Sequence, residues 1–501
     1  MRLFVGFFGA LALGLVGCSD SSDMGGGGGV GGQGGDGGSG PPAFQAGLPV
    51  EVSGASTFDD CTADANPDAM LAPAAEVEPW IVVDPTDPDH IAAVWKQDRY
   101  TAGGGSRGHV AGVSFDGGAT WESTVIPGLT PCSGGDWERT TDPWLAFGAN
   151  GDLYSVSLSF DSEIPYGGAI LVNRSTDGGR TWNDPVVVHE APEPEYNDRE
   201  TITADPVEAC TIYTTWTRFD QDPVMITTGD VVFSRSTDCG STWTEPVVVH
   251  RSRPVGIAAQ IVVSPDGALL AFFKQTRRDG EERPIWVKRS TDGGATWPGE
   301  PTVIDGAPLS VLVTPDEGRN IRTASYDVAV DRQSGDLYVV WEHLFGELFP
   351  HRVAFSSSND GGLTWSEPIR VDQTPPGSSF PLEQAVLPSV EVSDDGTIGV
   401  TYYNFENDTA GSPPSETDYW FTHCHPDYTD CTVPESWNGA LRLTPSSFDY
   451  LRAPDITTGS QGLFLGDYVG LAPSGNDFVA FFSATTDTDP ANTYFVPIRA
   501  R

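Results

Sequence analysis

One eight-residue phrase returns five times in this chain: "SFDGGATW" at Ser114, "STDGGRTW" at Ser175, "STDCGSTW" at Ser236, "STDGGATW" at Ser290 and "SNDGGLTW" at Ser358. Successive copies start 61, 61, 54 and 68 residues apart. A period of this length means one supersecondary unit repeated, so a stretch of about 450 residues that length alone would divide among domains can form one body. Each unit reads as β. "EPWIVVDPTDPDHIAAVWKQ" supplies a strand, a Pro/Asp turn and a second strand; "HVAGVSFDGGATW" runs a third strand into the octet, and "STVIPG" gives a fourth. No amphipathic helix interrupts these runs.

The first-strand pattern returns as "DPWLAFGANGDLYSVSL", "RETITADPVEACTIYTTW", "AAQIVVSPDGALLAFFK", "SYDVAVDRQSGDLYVVW", "PSVEVSDDGTIGVTYY" and "GDYVGLAPSGNDFVAFF". Seven first strands predict an all-β, seven-bladed β-propeller of four-stranded blades. A six-bladed ring, with one unit misread, is the alternative. The last unit has three strands of its own, ending in "TYFVPIR"; "LPVEVSG" (48–54) is expected to supply its fourth, because joining both termini in one blade removes the exposed sheet edge.

The octet fits Ser-x-Asp-x-Gly-x-x-Trp and resembles the Asp-box, or BNR repeat, of the sialidase superfamily. The resemblance extends over residues 47–501, and it implies that the boxes lie between third and fourth strands on the edge away from a substrate. Local chemistry agrees with a fastening role. Asp177 can accept N–H groups inside the turn, Gly179 permits a positive φ, and Trp182 is expected to bury its ring between blades.

Residues 1–18 read as a secretory signal. A single Arg2 precedes an apolar run from Leu3 to Val16, too short for a membrane span of about 20 residues, and Leu15-Val16-Gly17-Cys18 follows. The segment resembles a bacterial lipoprotein signal with a lipobox, which implies lipidation of Cys18 and placement at the outer membrane or cell surface; an ordinary cleaved signal is the alternative. Residues 19–46 are Gly-rich and have nothing to bury, so they read as a flexible tether. Beyond Cys18 there are six cysteines, an even number suited to an oxidising location. Cys210 and Cys239 fall in turns on the same edge of one meander and are expected to pair. Cys424 and Cys431 flank "HPDYTD", where an octet is missing but Trp437 remains, and Cys61 with Cys132 follows by elimination.

With 27 basic and 70 acidic residues the net charge is −43. This repels nucleic acid, and no basic stripe overcomes it. No cofactor is expected, and the only membrane contact expected is through the lipid.

Loops that lead into innermost strands build the ligand face of a propeller. Here "DWERTTDPW", "EYNDRETI", "NIRTASYDV" and "FLGDYVG" carry Arg139 with Asp142, Arg199 with Glu200, Arg322 with Tyr326, and Asp467 with Tyr468; Glu78 opens the first blade. By resemblance to sialidases, Tyr326 and Glu200 would form the nucleophile pair and Asp142 the acid. Arg139, Arg199 and Arg322 would hold a substrate carboxylate bidentately. The sequence departs from the family in lacking its early Phe/Tyr-Arg-Ile-Pro motif, with "EVEPWIVVD" in that place, and in the order of blades that carry the arginines. Two other arrangements of the same residues are open. The arginines and acids can pair with one another, or Glu78, Asp142, Glu200 and Asp467 can ring a cation such as Ca²⁺. Two functions follow: a surface-tethered sialidase-like propeller acting on or binding extracellular glycans, as an exo-sialidase if it is a hydrolase, or a catalytically silent propeller that binds a protein or surface polymer.

Overall fold

A computed structural model describes residues 42–63, 71–161, 167–222, 225–251, 256–275, 284–305, 312–313, 321–322, 326–345, 350–375, 382–409, 413–456 and 462–501. The signal, Cys18 and most of the tether lie outside these residues. The described chain is all-β, with antiparallel four-stranded meanders in series and three short 3-10 turns. The meanders begin with Val77–Asp84, Arg139–Phe147, Glu195–Ala204, Gly256–Val263, Tyr326–Val330, Ala385–Val392 and Gly470–Ser474, and are called sheets one to seven in that order. A bridge from Ser106 to Thr140 joins sheets one and two.

Each first strand contacts the first strand of the next sheet, and that of sheet seven contacts that of sheet one, so the contacts run in a closed cycle. Strands covered by neighbours on both faces lose the polar alternation of a half-solvated sheet. This is why Leu269–Gln275 reads "LLAFFKQ" and why Asp87–Tyr100 is buried continuously from His90 onward.

Sheet seven takes strands from both ends of the chain. Val50 and Glu51 pair with Phe495 and Tyr494, within the segment expected to do so. The pairing also reaches further back than expected, since Phe44–Ala46 pairs with Ile498–Ala500. Phe44 packs on Phe421 and Phe478, which anchors this first paired segment.

The octets share one hydrogen-bond pattern. In all five the serine hydroxyl donates to the aspartate at 2.8–2.9 Å, and the second glycine donates its N–H to the serine oxygen at 2.8–3.0 Å. The threonine N–H and hydroxyl complete the aspartate's set; those of Thr296 hold Asp292 down to about 2. The second glycine also permits close approach. A Cβ on Gly118 would lie 2.1 Å from Phe495 of sheet seven.

Between sheets, the octet's first glycine carbonyl takes a hydrogen bond from the preceding sheet: His90 to Gly178 at 3.0 Å and Arg235 to Gly293 at 2.8 Å. The octet tryptophans pack the same way, Trp121 on Phe495 and Trp297 on Phe233. Trp182 departs from expectation: it is half-buried, covering the edge of a core rather than filling it.

All three disulfides form as expected: Cys61–Cys132, Cys210–Cys239 and Cys424–Cys431. In sheet six, which has no octet, the indole of Trp437 donates to the Cys431 carbonyl at 2.9 Å and packs on Phe355 of sheet five. The disulfide loop thus seats the tryptophan that an octet seats elsewhere.

A small sheet had no signal in the sequence. Leu312–Val313 and Ile321–Arg322, before sheet five, join Asp455–Ile456 and Gly462–Leu463, before sheet seven, through the parallel pair Ile321 and Leu463.

Candidate functional site

The first strands of sheets one, two, three and six lose register at corresponding points: Val77/Trp80, Thr141/Trp144, Asp198/Thr201 and Val386/Ser389. Within these bulges Glu78, Asp142, Arg199 and Leu387 adopt φ of 52–56°. A non-glycine residue there costs about 1–3 kcal/mol and persists only where its surroundings hold it, typically at functional sites. Pro79, Pro143 and Pro388 follow three of them, as expected of proline confined to bulges.

Three of the four bulge residues are charged, and they meet. Lys96, 3% exposed and carried on the second strand of sheet one, forms ion pairs with Glu78 and, at 3.3 Å, with Asp142. Arg199 pairs with Asp467. Two residues inward from Glu78 and Asp142, Trp80 and Trp144 stack with centroids 3.5 Å apart, and Tyr468 packs edge-on against both. The Tyr468 hydroxyl donates to the Pro143 carbonyl at 2.8 Å.

Glu200 differs from its neighbours. It is 2% exposed, and neither carboxylate oxygen has a hydrogen-bond partner. Burial first, and then the charge of Asp142, push its carboxyl well above the usual range. For Asp142 burial acts in the same direction, but Lys96 and Arg199 outweigh it and hold the carboxyl below its ordinary value. Burial raises Glu78 to about 7 against the pull of Lys96. Desolvation lowers the buried His109 to about 3, so its imidazole is neutral. Two carboxyls whose surroundings push them in opposite directions, Glu200 up and Asp142 down, form an acid and a base side by side.

Of the expected site residues, the structure brings Asp142, Arg199 and Glu200 together with Glu78, Asp467 and Tyr468. Arg139 is held elsewhere. Its guanidinium donates to the carbonyls of Ala102 and Gly104 at 2.6 and 2.7 Å and lies over the Tyr100 ring, fastening the turn after the second strand. The hydroxyl of Tyr326 donates to the Phe272 carbonyl at 3.0 Å, with Lys274 over its ring, and burial raises its pKa far above the ordinary value. Glu200 makes no hydrogen bond to it. The side chain of Arg322 lies outside the described residues.

Lys96 and Arg199 stand among the four carboxylates proposed as a cation ring. Among the described residues no group of three or more His, Cys, Asp or Glu side chains is placed to hold a metal ion. Sequence reasoning missed Lys96. Its signal was scarcity, since the chain has three lysines and this one stands in the apolar second strand "IAAVWKQ".

No family model matches the chain, and no curated protein does. Solved structures similar to it include a protein of unknown function from Dyadobacter fermentans, at 12% identity and TM-score 0.47, covering 91% of this chain and 99% of that one. A Hadza microbial sialidase is similar at 16% identity and TM-score 0.44, over 82% of this chain and 74% of that one. An α-L-arabinanase of Penicillium chrysogenum, complexed with arabinobiose, is similar at 15% identity and TM-score 0.43, over 73% and 95%.

Proposed function

We propose that this chain is a seven-bladed Asp-box propeller, lipidated at Cys18 and held by residues 19–46 at the outer membrane or cell surface, whose central face binds an extracellular glycan. The cyclic contacts of seven first strands support the blade count, and five octets of one geometry support the sialidase-like resemblance. The observation that carries the glycan reading is the layered centre: charged hydrogen-bonding groups on the bulges, over the aromatic group of Trp80, Trp144 and Tyr468. Sugars need polar groups for their hydroxyls, and the buried, mutually stacked Trp80 and Trp144 hold these groups in place. The pairing of Lys96 and Arg199 with acids of the same face favours binding over sialidase chemistry, because a substrate carboxylate would have to compete for both cations.

Hydrolysis is the second reading, and Glu200, pushed up, near Asp142, held down, favours it. These two would act as acid and base or nucleophile. The test is a panel of fluorogenic sialosides and arabinofuranosides run beside a glycan array. Binding without turnover is the expected result. Turnover abolished by Glu200→Gln and retained in Tyr326→Phe would establish the carboxyl pair, whereas turnover abolished by Tyr326→Phe with binding intact would establish a tyrosine nucleophile.

A further inference from the structure

The first strands enclose a second space beyond the Trp80–Trp144 layer, bordered by the turns that follow these strands. Its volume is about 440 Å³, and its walls are mixed, with aliphatic side chains such as Val82, Ala146, Val262 and Ala329 beside nearly as much polar surface. That size and lining suit a small organic molecule. It shares the Trp80–Trp144 layer with the bulge group but lies beyond it, and it does not depend on the function proposed for that group.

Two carboxylates face this space from the contacting first strands of sheets five and six, Asp327 and Glu391. Asp327, 6% exposed, is fixed by the Ser389 hydroxyl at 2.6 Å and the Val390 N–H at 3.0 Å. Burial and the charge of Asp327 push Glu391 up to about 8, opposed by Arg332 on the exposed turn. Of the other acids of the wall, Asp394 sits on an exposed turn, and Asp84 and Asp331 are engaged. Asp84 accepts from Thr86 and lies 3.3 Å from the His90 ring, and Asp331 accepts from the Gln333 N–H and the Ser334 hydroxyl.

Two further groups point to a ligand. Trp80 is 7% exposed and lines the space, yet its indole N–H has no acceptor. Gln260 lines the same space, and its side-chain carbonyl has no donor. A buried polar group without a partner costs free energy that a ligand atom can recover. Facing carboxylates call for a cation, an unused donor with an unused acceptor calls for a hydroxyl, and the aliphatic part of the wall calls for a carbon frame.

We propose that this cavity binds a small hydroxylated organic cation, an amino alcohol or amino sugar with a free ammonium group, seated on Asp327 and Glu391 with a hydroxyl between Trp80 and Gln260. Isothermal titration of the whole protein at pH 7 tests this, using D-glucosamine as probe, D-glucose as the analogue without the charge and cyclohexylamine as the analogue without the hydroxyls. Glucosamine should bind saturably, glucose should give only dilution heat, and cyclohexylamine should bind more weakly. Glu391→Gln should weaken glucosamine at least about tenfold, and Trp80→Phe should narrow its advantage over cyclohexylamine. For the unaltered protein, binding should release protons, read as a dependence of the heat on the ionisation enthalpy of the buffer, because the ligand's charge favours ionised Glu391. Dilution heat alone from glucosamine, equal binding of glucose, an affinity unchanged by Glu391→Gln, or binding without proton release would each overturn the proposal.

Discussion

Arg199 and Asp467 meet at 2.5 Å although 268 residues separate them, tying sheet three to the segment before sheet seven. Neither sheet neighbours the other in the cycle of first strands. The pair is therefore a strut across the centre, and its loss should be felt by the whole molecule. Asp467→Asn takes the hydrogen-bonded carboxylate from the largely buried Arg199 guanidinium, a change that costs up to about 3–5 kcal/mol, with Asp142 and Glu78 nearby moderating it. The melting temperature should fall clearly in calorimetry. Pairing it with Arg199→Met should restore part of the loss, because the uncompensated charge is then gone.

The octets should prove to be stability devices of unequal weight. Trp297, 7% exposed and packed on Phe233, should cost about 3–5 kcal/mol when changed to alanine. The half-buried Trp182 should cost distinctly less. Asp177→Ala strands the N–H of Thr181 and should cost about 1–3 kcal/mol without altering any ligand preference. Urea titrations beside a glycan array would show both properties.

Stability should decline from neutral to alkaline pH. Glu76 is buried beside Asp489 and Asp98; burial raises it from 4.5 to about 9, although Gln97 and Ser53 donate to it. Between those values the folded chain keeps a proton that the unfolded chain has released, so the unfolding free energy falls as pH rises through the window. Glu391 at about 8 and Glu78 at about 7 act with the same sign. Asp142 has the opposite sign, but its window lies below 3.8, and the lowered His109 opposes the acids only up to about pH 6.5. The melting temperature should therefore drop between pH 7 and pH 9, and Glu76→Gln should flatten that slope.

The Cys61–Cys132 bond closes 71 residues and links the segment before sheet one to the connection between sheets one and two. Replacing both cysteines with serine should cost about 2–5 kcal/mol. Denaturation with and without reductant should show a smaller loss in the variant than in the native protein, because only Cys210–Cys239 and Cys424–Cys431 remain to be reduced.

Repetition made the sheets legible in the sequence, since each first strand carried the same apolar run and each octet marked the same turn. The disulfides were legible for the same reason: once turns are placed on one edge, Cys210 and Cys239 can only be neighbours. What escaped notice were contacts without periodicity. Strands of two residues, such as Ile321–Arg322, are too short to carry a pattern, so the sheet they form with Gly462–Leu463 was invisible. The site was half legible. Glu78, Asp142, Arg199, Glu200 and Asp467 stood out as charged residues ahead of apolar runs. Whether Arg139 would face a ligand or a loop depended on the carbonyls of Ala102 and Gly104, which no spacing announces.

The chain's final strand, Asn492–Ala500, is the partner on which Phe44–Ala46 and Val50–Glu51 lie. During synthesis the earliest of these segments waits for the last. Until then the nascent molecule is an open arc with an unpaired strand edge, the kind of surface on which chains aggregate. Sheet seven is thus completed only after the strands of sheets one to six have been made. A chain clipped near Asn492 loses its last strand and leaves its first with nothing to hold.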